Sequence, residues 1–216
     1  MSKREAPDAL LLLAPGCAHC PVVLQNLGQL LKQGRIGRLE AVNIIQHPEI
    51  AQRVGTRTVP WTRIGSFELE GALSLGDLER WIDMTGRDEG AANYLGHLLE
   101  TQRARAAVDW LQRNPDAMPE LLGLLQSPAT PIAARIGIGV VAEELQGTPL
   151  WQSGLADLLK LAESPDAALR ADAAHYLGLT YSSDAIEPLR GMLEDDNPDV
   201  REIAAESLEL LHGKNS

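Results

Sequence analysis

The second half of the chain repeats itself. Shifted by 37 positions, Leu121, Leu122, Leu124, Ser127 and Pro128 fall on Leu158, Leu159, Leu161, Ser164 and Pro165. Shifted by 31, Leu169, Arg170, Ala173, Ala174 and Leu177 fall on Val200, Arg201, Ala204, Ala205 and Leu208. A period of this size, long enough for two helices, marks an α-solenoid: one unit cannot bury its apolar face alone, and stacking supplies the core. The spacing predicts three helix pairs near residues 116–145, 151–179 and 184–212, within a repeat region over 115–216. A linking helix is expected over 87–114, its helical part spanning 93–113. The first pair fits least well, because Ala133 stands where the other units have arginine and Gly137 and Gly139 weaken the helix.

The pattern of an apolar residue, Arg, two small residues and Leu, preceded in the last unit by Asn197, Pro198 and Asp199, resembles HEAT repeats. The pairs Ala173, Ala174 and Ala204, Ala205 are expected to let paired helices approach closely. The resemblance implies an all-α solenoid offering a concave surface to a protein partner or client; the plainer alternative is that the repeats only stabilise or dimerise the rest. Glu194, Asp195, Asp196 and Asp199 lack the glycine and spaced ligands of a calcium loop and read as a solvated cap. Residues 1–86 hold 9 basic and 9 acidic side chains and residues 87–216 hold 10 and 21, so the net charge of −11 belongs wholly to the helical part. Such a surface repels phosphate backbones, which excludes nucleic acid as a partner.

Upstream the texture is different. Residues 9–13 form a short apolar run consistent with a strand buried on both faces, and Pro15 and Gly16 end it. Cys17 follows, then Cys20 and Pro21 open an apolar-periodic helix that closes at Gly34. A strand over 39–45, a helix over 48–54 stopped by Gly55, a β-prone stretch over 58–64 containing Pro60, a strand over 67–69 and an amphipathic helix over 75–84 complete the order strand, helix, strand, helix, strand, strand, helix. The two cysteines, the only ones in the chain, are three residues apart, too close for the disulfide framework of a small secreted domain. They read as a site at the positive end of a helix, where a thiolate is favoured.

That order of elements, with Cys17-Ala18-His19-Cys20-Pro21 at the first strand-to-helix turn and Thr58-Val59-Pro60 about forty residues on, resembles the thioredoxin superfamily. The likeness is greatest to the compact glutaredoxin-like domains of protein disulfide oxidoreductases and of the N-terminal part of the alkyl hydroperoxide reductase flavoprotein, and it covers residues 7–86. It implies a thioredoxin-like α/β domain over 1–86, built on a four-stranded mixed sheet, with Cys17 as nucleophile and Cys20 as resolving thiol. It further implies a cis peptide at Pro60, substrate contacts from Thr58, Val59 and Trp61, and thiolate stabilisation by His19, as in the strongly oxidising members. Cys17 is then expected to titrate below about 7, against roughly 8.5 for a free thiol. No cofactor is implied beyond the Cys17–Cys20 disulfide itself. Two departures stand out: Gly16 replaces the aromatic residue before the first cysteine, and no acid in the first strand serves as a buried proton acceptor, Asp8 lying too early.

A metal is not expected, since a closed zinc site takes four ligands and no further cysteines complete a set. His47, His97, His175 and His212 are scattered and read as surface or helix-end residues. Lys3 and Arg4 before the apolar run suggest a leader, but the run is too short for one and nothing approaches the ~20 apolar residues that span a bilayer. A cytoplasmic protein without membrane contact is the expectation. Three functions compete: a thiol-disulfide oxidoreductase whose repeats bind a client, a redox-linked holdase chaperone, and an adaptor with an inactive thioredoxin fold.

Overall fold

The computed structural model describes residues 5–87 and 89–214; Lys3 and Arg4 lie outside the described residues. The chain divides into two units, Met1–Gly90 and Ala91–Ser216, each with its own core.

In the first unit, strand β1 (Ala9–Leu13) pairs in parallel with β2 (Leu39–Asn43) and antiparallel with β3 (Trp61–Ile64), which pairs antiparallel with β4 (Phe67–Glu70). The result is a four-stranded mixed sheet in the order β2-β1-β3-β4. Helix α1 (Cys20–Lys32) makes the crossover that parallel strands require; α2 (Pro48–Val54) and α3 (Leu75–Met84) follow β2 and β4. The expected order of elements is thus present, with β2 and β3 shorter than expected and β4 one residue longer. β2 stops at Asn43 because its side-chain Oδ1 accepts the Ile45 N–H (3.0 Å) and its carbonyl accepts those of Gln46 and His47, turning the chain. β3 starts only at Trp61: the Thr58 N–H is held by Thr56 Oγ1 (3.1 Å), and Pro60 has no N–H to give a ladder.

Alternation along the strands divides the sheet's side chains between two layers. Leu10, Leu12, Val42 and Trp61 pack with Ala51 of α2 on one face. Residues paired directly across strands share a face, so Leu11, Thr62 and Leu69 lie together on the other, with Ala9, Ile64 and Phe67 beside them. That face is covered by α3, whose Trp81 ring lies 5.4 Å from that of Phe67, and by α1, which packs against α3 and buries Cys20, Val23, Leu27 and Leu30.

The second unit is helical throughout its described length. The single helix expected over 93–113 is two, α4 (Gly90–Glu100) and α5 (Ala104–Arg113). Gln102 adopts φ 58°, and the Arg103 N–H reaches back to the Leu98 carbonyl (2.8 Å), closing α4 as a glycine would. No glycine or proline marks the break, which is why the residues alone read as continuous. Three helix pairs follow: α6 (Met118–Gln126) with α7 (Ile132–Leu145); α8 (Pro149–Gln152) and α9 (Leu155–Ala162) with α10 (Ala167–Gly178); and α11 (Ile186–Met192) with α12 (Pro198–Lys214).

Two expectations about these pairs are corrected. The first helix pair does have its arginine: Arg135, displaced by two residues, donates to the Ser127 carbonyl (3.1 Å) as Arg170 does to Ser164 (2.9 Å) and Arg201 to Asp195 (2.7 Å). The stretch between turn and arginine is two residues longer there, so a rigid offset lands on Ala133. Of the alanines expected at the close approach, Ala173, Ala174 and Ala204 are fully buried and only Ala205 is exposed. Glycines add close contacts of their own: a Cβ on Gly178 would fall 2.8 Å from the Ser207 Cβ, and one on Gly137 2.9 Å from Leu99 Cδ2. Gly137, expected only to weaken its helix, is where α7 meets α4.

Candidate active site

β1 is an uninterrupted apolar run and cannot leave the core until Ala14, so the turn at Pro15 and Gly16 sits at the sheet's end. Gly16 takes φ +80°, a left-handed conformation open to glycine and strained for an aromatic residue, which accounts for its presence before Cys17. Cys17 and Cys20 form a disulfide, with Cα atoms 5.5 Å apart and sulfurs 2.23 Å apart. The two sulfurs are not equivalent. Cys20 is 4% exposed and anchors the first turn of α1 in the core, whereas Cys17 is only half-buried.

The first turn of α1 leaves its N–H groups without the usual side-chain cap: His19 occupies the N-cap position, with no side-chain capping bond. The Cys20 N–H donates instead to Cys17 Sγ (3.1 Å). A donor on the outer sulfur stabilises negative charge there, and the helix dipole acts in the same sense. His19 is exposed, with no hydrogen bond among the described residues to fix its ring.

Register brings the second motif to the same end of the sheet. Trp61 pairs with Leu12, so Pro60 stands opposite the last residue of β1, the strand that runs out into Cys17. The Val59–Pro60 peptide is cis, Pro60 is buried, and its carbonyl accepts the Gly71 N–H (2.9 Å). Among the described residues no hydrogen bond engages the N–H or C=O of Val59. Thr58 is exposed. Trp61 departs from its expected role: at 1% exposure, packed on Leu10, Leu12 and Val42, its ring is core and faces no substrate. Alternation explains this, since β3 begins at Trp61 with its first side chain already turned inward.

One residue with no place in the motifs stands out in this unit. Thr62 is fully buried, and its hydroxyl has no hydrogen-bond partner among the described residues. Its only sequence signal is a polar residue inside a β-prone run, a feature ordinary in strands. Asp8 does not reach the core; it is exposed and pairs with Arg38 (3.4 Å). A cleft of about 450 Å³ lies at the other end of the sheet, between Pro7, Gly34 and Thr85, away from the disulfide. Among the described residues no three His, Cys, Asp or Glu side chains gather to hold a metal, and no helix is long and apolar enough to cross a membrane.

No curated protein matches the chain. Residues 138–209, from the middle of α7 into α12, match the family model for HEAT repeats.

Proposed function

We propose that the protein is a thiol-disulfide oxidoreductase of thioredoxin-like fold, acting through Cys17 and Cys20, with HEAT repeats that bind a protein partner or client. The observation that carries this reading is the asymmetry of the disulfide: an accessible sulfur that receives a helix N–H, backed by a buried one a turn behind. The mixed sheet, with its cysteine turn and its proline segment at one end, supports it. Repeats of the HEAT family commonly mediate protein–protein contacts.

In the reducing direction the Cys17 thiolate attacks one sulfur of a client disulfide, and the other client sulfur leaves as a thiolate that takes up a proton. Cys20, deprotonated, then attacks Cys17 Sγ; the mixed disulfide breaks, the client departs with both thiols, and the Cys17–Cys20 disulfide re-forms. Oxidation of a client dithiol is the same sequence reversed. The unengaged backbone of Val59 offers an extended client one donor and one acceptor beside the exchanging sulfurs. His19, at the cap, adds positive charge near Cys17 when protonated.

The test is turnover of insulin disulfides, and oxidation of a reduced peptide, by the wild type and by Cys17→Ser. The reading requires activity that Cys17→Ser abolishes, and a mixed disulfide that accumulates in Cys20→Ser; wild-type rates no higher than those of a free dithiol overturn it. A redox-linked holdase is the second reading, favoured by a row of apolar side chains on α7: Ile132 (77% exposed), Ile136 and Val140 recur every fourth residue. Suppression of client aggregation that survives Cys17→Ser and is lost when this row is made polar distinguishes it.

A further inference from the structure

A helix that is apolar on every side is ordinarily covered on every side. α7 is such a helix: from Ile132 to Ala142 its only polar side chain is Arg135. Its own unit covers it incompletely. The inner side meets α4, where Gly137 admits Leu99. One edge meets α5, where Arg105 donates to Glu144 (2.9 Å), and the other meets α10, where a Cβ on Gly139 would lie 3.9 Å from the Tyr176 hydroxyl. Between those edges run Ile132, Ile136 and Val140, 77%, 65% and 43% exposed, on a line about 12 Å long at a rise of ~1.5 Å per residue. Among the described residues of the second unit, Leu210 is the one large exposed apolar side chain off this line. Negative charge borders it. Glu143, seven residues on from Ile136, returns to the same face and is exposed, and no ion pair engages it among the described residues. The neighbouring arginines are committed: Arg105 to Glu144 and to Asp109 (3.4 Å), Arg135 to the Ser127 carbonyl (3.1 Å).

We propose that this face of α7 docks a basic amphipathic helix of the protein partner. The inference rests on the reading of the repeats as the partner-binding part and is independent of the thiol chemistry. Charge selects the occupant. Residues 87–216 hold 21 acidic and 10 basic side chains, an excess that draws a cationic segment and repels an anionic membrane surface. A second copy of the chain carries the same excess, and three side chains on one helix fall far short of the roughly 800 Å² per partner that a stable interface buries. The backbone selects the conformation. α7 uses its N–H and C=O groups within itself, so it offers an incoming chain side chains alone and no strand edge to pair with. A helix satisfies its own backbone and lays apolar residues at i, i+4 and i+8 along Ile132, Ile136 and Val140. Lys or Arg beside that stripe then meets the Glu143 carboxylate.

The experiment is fluorescence anisotropy of labelled peptides of about 18 residues, or five helical turns, titrated with the full-length protein. The probes are an amphipathic Leu/Lys helix, its Leu/Glu counterpart, and a scramble of the Leu/Lys composition that breaks the helical period. The Leu/Lys helix is expected to bind at least about tenfold more tightly than either control, and Ile136→Ser with Val140→Ser to weaken it by about tenfold. Glu143→Gln should weaken it about threefold and flatten its dependence on ionic strength, in a variant that leaves the apolar row intact. Equal binding of the Leu/Glu helix or of the scramble overturns the basic helix as occupant and favours the holdase reading. Binding undiminished in the folded double serine variant overturns the site. A dimer in sedimentation that the same variant dissolves assigns the face to a second copy and overturns the proposal too. Trapping by Cys20→Ser separates this inference from the reading beneath it. A client yield that falls with the row replaced, while the Leu/Lys helix fails to bind, overturns only the class of partner; a yield indifferent to the row and to ionic strength overturns partner binding by the repeats as well.

Discussion

Arg170 spreads its guanidinium over two turns of the repeat array. Nε and Nη2 grip both carboxylate oxygens of Asp195 (2.7 and 2.8 Å), while Nη1 donates to the Ser164 carbonyl, so one side chain ties the second helix pair to the third. The guanidinium, with a further N–H from Asn197, holds the Asp195 carboxyl down at about 2. A carboxylate whose pKa is depressed on folding stabilises the fold above its unfolded value of about 4 and loses that contribution as pH falls toward the folded value. Asp195→Asn is therefore expected to lower the urea midpoint at pH 7, with the gap to wild type closing as pH falls from about 4 to about 2. Two glycines make a matched test of packing. Gly178→Ala puts a methyl 2.8 Å from the Ser207 Cβ and 3.1 Å from its Cα, and should cost about 1–3 kcal/mol less a helix-propensity gain of up to ~1. Gly123→Ala, also helical but with nothing within 4 Å, should stabilise by about 0.5–1 kcal/mol. Urea titration of both variants checks the pair.

The ends of elements are set by short-range hydrogen bonds. α3 begins with a capping box: the Asp77 N–H donates to Ser74 Oγ (3.1 Å) and the Ser74 N–H to Asp77 Oδ2 (3.1 Å). Ser74→Ala should cost about 1 kcal/mol in thermal or urea unfolding. α4 ends on Gln102 in a left-handed conformation, and Gln102→Gly should stabilise by about 1 kcal/mol, measured in the same way. These two ends show what is legible at this scale. Helices over Pro48–Val54 and Leu75–Met84 were readable to the residue, because proline, glycine and apolar period agree there. The break at Gln102 was not, because the carbonyls of Leu98 and Leu99 impose it and no breaker residue announces it. Likewise the arginine of the first repeat is invisible to a fixed offset, since what is preserved is a bond to the turn's carbonyl, which Arg135 reaches from two residues further on.

At the scale of the whole molecule, charge separates the two parts: residues 1–86 balance, and the rest carries the net −11. A partner held by the acidic unit should be released as ionic strength rises from about 0.05 to about 0.5 M, because screening shortens the reach of surface charge from ~14 to ~4 Å. Exchange with a small neutral disulfide at Cys17 should not respond, and the yield of client trapped by Cys20→Ser across that range, set against the small-disulfide rate, measures the difference. By itself the sequence determined the division of texture, the order of strands and helices, the place of both cysteines at the first strand-to-helix turn, and the repeat. Each of these is written in local period, turn residues or self-similarity. The greater burial of Cys20, one helical turn in, was legible too, and only the tertiary structure decided that Trp61 is core against Leu10, Leu12 and Val42 and that Thr62 is buried on the opposite face of the sheet. Those facts depend on which face of the sheet a strand residue meets. The face follows from register between segments about fifty residues apart, and local pattern does not encode that.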